Sequence, residues 1–136
     1  MKNTILDFKN RRDCYRMVIN LNDFMQTKSI NRMKKLVKYI RESDAPEELD
    51  KIRDWISDYL GSYEVERKEM QAIIAENVRK VKLTEEDLKK AERGQIRNLK
   101  GLIRGLKENT RYYGRELVKR TKMREFCLKV SGVLDE

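Results

Sequence analysis

The side chains able to do chemistry in this chain are cations far more than nucleophiles or general bases. The sequence contains no histidine, which removes the commonest general base and the commonest neutral metal ligand. Its two cysteines, Cys14 and Cys127, stand far apart beside apolar residues. They read as buried thiols in a reducing compartment, and two scattered cysteines cannot build a structural zinc site. Asp50, Asp54 and Asp58 share a helical face at four-residue spacing; three carboxylates can hold Mg²⁺, and the same pattern describes a solvated acidic face. Tyr112-Tyr113 sits beside Arg111 and Arg115, an interleaving of rings and cations suited to packing or base stacking rather than to a tyrosine nucleophile. No glycine-rich phosphate loop is present. These residues argue against an enzyme, and neither a cofactor nor a resident metal is expected.

The cations, in contrast, are ordered. Arg93, Arg97, Lys100, Arg104, Lys107, Arg111, Arg115, Lys119 and Lys122 follow one another at steps of three or four. On a helix they fall within an arc of roughly 120°. Residues 93–124 hold 11 bases against two acids, an excess equal to the net charge of +9 of the whole chain. Glu108 and Glu116 are the acids available for local pairing, so the row is close to unneutralised and repels itself. Gly94, Gly101 and Gly105 project together beside this arc. Each costs about 1 kcal/mol relative to alanine inside a helix. Three in register imply close approach to the backbone, by another helix of the chain, by a phosphate backbone or by a partner protein. Lys28, Arg32 and Lys35 open a second basic stretch, with six bases and no acid between Lys28 and Arg41. An acidic stretch from Glu42 to Asp58 follows it directly.

Helices must position these residues. Ile5, Phe8, Tyr15, Val18, Ile19 and Leu21 predict a first helix over 4–25, with a break between Asn20 and Asn31 and a cap at Ser29. Ile30, Met33, Leu36, Val37 and Ile40 form the stripe of a second helix. It ends at Ser43-Asp44-Ala45-Pro46, because the residue before a proline is driven out of helical conformation. A third helix starts near Pro46, with Glu47, Glu48 and Asp50 at the positive end of its dipole, and stops near Gly61. A fourth spans about 62–82. Thr84, with Asp87 three residues on and Leu83 facing Leu88, predicts a fresh start by a capping box and hydrophobic staple. The last helical stretch then runs towards Val130, with a break near Asn109-Thr110. Along it Ile96, Leu99, Leu102, Ile103, Leu106, Tyr113 and Leu117 occupy an arc separate from the cations, so one face can enter a core while its neighbour presents a basic ridge.

The expected fold is all-α, a compact bundle of about five helices without a sheet, ending in a long basic helical segment. Its 136 residues form a single domain. Charged residues make up 40% of the chain and there is one proline, a composition that favours helices. Residues 1–7 lack the apolar core of a signal peptide, and no apolar run approaches the ~20 residues of a membrane span. The expected location is the cytoplasm, with no membrane partner. Three functions fit. The first is nucleic-acid binding, DNA or RNA, in which the ridge contacts phosphates without reading sequence. The second is a small adaptor or inhibitor, of the kind phages and mobile elements carry, that engages an acidic surface on a larger protein or nucleoprotein machine. The third is a self-assembling helical protein whose glycine and apolar faces pair between copies in a homo-oligomer.

Overall fold

In the computed structural model, residues 4–7, 17–43 and 45–136 are described, and they are mostly α-helical. Strands β1 (Thr4–Asp7) and β2 (Met17–Asn20) precede four α-helices: α1 (Leu21–Gln26), α2 (Ile30–Arg41), α3 (Leu49–Lys89) and α4 (Ile96–Leu134). A 3₁₀ turn, Pro46–Glu48, leads into α3. The helix count among the described residues is therefore four rather than five. None of these helices is long and apolar enough to cross a membrane.

The largest departure from the sequence reading is at the N-terminus, where a helix over 4–25 was expected and an antiparallel strand pair stands. Ile5 faces Ile19 and Leu6 faces Val18 in its register. Short apolar runs do not distinguish helix from strand by periodicity, and a β-branched pair such as Ile5 with Ile19 favours a pleated surface. Tertiary contacts decide the matter. Ile5 is completely buried, and the Lys51 ammonium donates to the Thr4 carbonyl (3.0 Å) while pairing with Glu48 (2.9 Å). Residues 8–16, including Cys14, lie outside the described residues.

Local capping sets the next two helices. The Asn20 side chain accepts from the Asp23 amide and starts α1; the Ser29 hydroxyl accepts from the Arg32 amide and starts α2, as the sequence predicts. Between them Lys28 takes the left-handed conformation (φ 50°), which ends α1 in the position where glycine is usual.

The described residues form two compact units. One comprises the described part of 1–62 together with 122–136. Its core gathers Ile5, Leu21 and Met25 with Met33, Val37 and Ile40 of α2, Ile52 and Ile56 of α3, and Phe126, Cys127 and Val130 of α4. Arg41 closes it: its guanidinium donates to the carbonyls of Val133 (3.2 Å) and Leu134 (3.0 Å). Both lie at the negative end of α4, where carbonyls run short of helical donors; Val133 also accepts from the Glu136 amide at 3.4 Å. The Trp55 indole donates to Asn22 (2.6 Å) and its ring stacks on Tyr59.

The other unit, Tyr63–Thr121, is an antiparallel helical hairpin. Tyr63, Met70, Asn77 and Thr84 are buried at seven-residue intervals, with Val81 between. Leu99, Ile103, Leu106, Thr110, Tyr113 and Leu117 are half-buried at alternating steps of four and three. This is the 3.5-residue spacing of a coiled-coil seam. Polar pairs fix its register: Tyr63 with Thr121 (3.1 Å) and Asn77 donating to Asn109 (2.9 Å). The seam explains why the expected breaks are missing. Thr84 lies on it, and its hydroxyl donates to the Lys80 carbonyl one turn back (2.7 Å), so it does not cap a new helix. Thr110 does the same with Leu106 (2.8 Å), and α4 runs unbroken through Asn109-Thr110. Gly61 is crossed without a positive φ, so α3 does not end there.

Candidate nucleic-acid interface

Helix α4 carries most of the predicted ridge on the hairpin unit. Arg97, Lys100, Arg104, Lys107, Arg111, Arg115 and Lys119 are all exposed on it, and Arg93 is exposed in the turn just before it. From Arg97 to Lys119 the row is roughly 33 Å long at 1.5 Å per residue. Lys122 is exposed as well but belongs to the other compact unit, as do the exposed Lys28, Arg32 and Lys35. The site built from one unit is therefore Arg93 to Lys119.

Pairing separates the arginines of this row from those of α3. On α3, Lys51, Arg53, Arg67 and Arg79 pair with acids one turn back, Glu48, Asp50, Glu64 and Glu76, while Lys68, Lys80, Lys82 and Lys89 have no ion pair among the described residues. The Arg79 guanidinium, through its hydrogen bond, holds the Glu76 carboxyl below its ordinary value, and Glu64 raises Arg67 in the same way. On the ridge, Lys107 reaches Glu85 across the hairpin at 3.8 Å and Lys119 reaches Glu116 at 3.4 Å. Arg93, Arg97, Lys100, Arg104, Arg111 and Arg115 have no ion pair among the described residues. Neighbouring cations ~8 Å apart repel by about 0.5 kcal/mol in water before screening. The first turn of α4 also lacks an acid, so the positive end of the helix dipole adds to this potential instead of being offset. Arg120, which lies off the arc, pairs with Glu66.

The N-terminal half of the row surrounds a hollow of about 540 Å³ lined by Arg93, Ile96, Arg97, Lys100, Gly101 and Arg104. Four cations rim it, and the missing side chain of Gly101 opens it. Gly101 and Gly105 are exposed, and a β-carbon built on either would meet nothing within 4 Å. No helix among the described residues crosses there, so packing within the described part of the chain does not account for the glycines. Gly94 lies in the turn before α4, off the helical face that Gly101 and Gly105 share, and it too has open space.

Tyr112 is the residue whose setting the sequence did not reveal. Its side chain is half exposed, and its ring meets Tyr113 edge-on at 5.2 Å. The available signal is spacing: Tyr112 falls seven residues after Gly105, on the flank of the cation row and off the apolar arc.

Other chemistry is not assembled. Among the described residues no three acidic, histidine or cysteine side chains come together as metal ligands. Asp50 is engaged by Arg53 at 3.0 Å. Cys127 is a free, buried thiol whose burial pushes it from 9.0 up to about 11, so it is not a thiolate nucleophile near neutral pH. No protein-family model, curated protein or solved structure matches the chain.

Proposed function

We propose that this is a non-enzymatic, cytoplasmic nucleic-acid-binding protein whose hairpin unit contacts the phosphate backbone through the α4 ridge. The observation that carries the reading is the row of exposed cations from Arg93 to Arg115, of which Lys107 alone has an ion pair among the described residues. Phosphates would relieve the repulsion along the row and displace counterions, giving affinity that does not depend on base sequence. The test is fluorescence anisotropy with labelled oligonucleotides at low salt. Arg97→Glu, Arg104→Glu and Arg111→Glu together should abolish binding. Lys68→Glu, Lys80→Glu and Lys89→Glu, exposed bases of α3, change net charge equally and should weaken binding far less. Equal losses would mean that overall charge, not the ridge, attracts the ligand.

A second reading is favoured by exposed apolar residues on the same hairpin: Val65, Val78 and Leu83 on α3, and Leu102 and Val118 on α4. A protein-directed adaptor would use them beside the cations to hold an acidic partner surface. A self-assembling hairpin would pair them with a second copy. Binding to no nucleic acid at low salt would move the assignment to these.

A further inference from the structure

We infer that the ridge takes single-stranded nucleic acid, with Tyr112 as the platform on which a base stacks; this rests on the phosphate-binding reading above. Two features of the hairpin point there independently. The first is the shape of the charge. The cations form one row along a single helix, and a flexible strand can lay its phosphates along such a row one after another. A duplex winds its two phosphate chains around a cylinder, so such a row meets only a few of them.

The second is what lies beside the row. On its flank α4 presents Gly101, Gly105 and Tyr112, which share a helical face at intervals of four and seven residues. The strip is bare at both glycines, leaving room for bases whose phosphates sit on Arg104 and Arg111. It ends, ~10 Å beyond Gly105 at 1.5 Å per residue, in the exposed ring of Tyr112. Tyr113 meets that ring in a T-shaped contact, which can cover at most one of its faces, and about half of Tyr112 stays exposed. A cationic track with an aromatic ring at its side is the arrangement by which single strands are held without sequence preference. Arg111 and Arg115, one residue before and three after the ring, supply the phosphate contacts next to it.

The experiment compares three ligands on the intact protein by competition against one labelled strand: an unstructured oligothymidylate, a duplex of the same length, and inorganic polyphosphate, which carries charge and no bases. The expected order places the single strand tightest. Tyr112→Ala should weaken the single strand about tenfold, which is about 1.4 kcal/mol, while leaving polyphosphate unchanged; Tyr112→Phe should retain single-strand affinity. Tighter binding of the duplex, or a Tyr112→Ala loss that is absent on the single strand or equal on polyphosphate, would overturn the inference and leave the ridge standing. Failure of all three ligands to bind would overturn both.

Discussion

Replacing Gly101 and Gly105 with alanine should make the protein more stable, and by a predictable amount. Both glycines lie within α4, neither has a positive φ, and an added β-carbon at either would meet no atom within 4 Å. No clash therefore offsets the gain in helix propensity and the reduced freedom of the unfolded chain, about 1 kcal/mol per site. The two methyl groups would not touch each other, so the double variant should gain close to 2 kcal/mol. With a urea slope of about 2 kcal/mol per molar, the midpoint followed by far-UV circular dichroism should rise by roughly 1 M at unchanged slope. A double variant no more stable than the parent, or less stable, would refute the reasoning. It would mean that the α4 backbone is already packed against something outside the chain. A drop in sedimentation mass with the same variant would identify that neighbour as a second copy.

Three further outcomes follow from the geometry. Arg41→Ala removes two charge-assisted hydrogen bonds to the carbonyls ending α4; a loss of about 1–2 kcal/mol in urea unfolding is expected, and no change would show that solvent serves those carbonyls equally well. Asn77→Ala leaves the Asn109 amide without its buried partner and should cost about 1 kcal/mol, whereas Asn77→Leu with Asn109→Leu should recover it; a double variant as unstable as the single would contradict the pairing. For Cys127, the folded thiol holds its proton more tightly than the unfolded one. Its contribution to stability is therefore complete below 9.0 and is lost as pH rises through about 11. Native protein should resist alkylation at Cys127 near neutral pH while denatured protein reacts, and rapid native-state labelling there would place the thiol at the surface.

The parts of this structure that local chemistry determines were legible in the residues, and the parts that depend on distant partners were not. Ser29 caps α2 and Ile30, Met33, Val37 and Ile40 bury its face, because capping and periodicity act within a turn or two. Pro46 opens the 3₁₀ turn before α3 for the same reason. Thr84 carries an equally good capping signal and does not cap, since its place on the hairpin seam gives both its methyl and its hydroxyl better partners. The N-terminal strands were read as helix because Ile5 and Ile19 declare themselves only once they face each other and the core. Arg41 looked like one more surface base, and only the fold brings it to carbonyls 92 residues away. The cation row of α4 was legible as a row. Which members are neutralised was not, because Lys107 with Glu85 and Arg120 with Glu66 meet only in the hairpin's register.

The central claim is that the α4 ridge holds phosphates as a group, and the salt dependence of binding tests it most directly. Affinity for a single-stranded oligonucleotide should fall linearly in log–log form with salt, at about −0.7 per phosphate neutralised. Charge reversal at Arg97, Arg104 and Arg111 should flatten that slope by about 2, with the helical content and melting curve unchanged. Reversal at Lys68, Lys80 and Lys89 should leave the slope as it is. A slope unaffected by the ridge changes, in a variant that remains folded, would contradict the account.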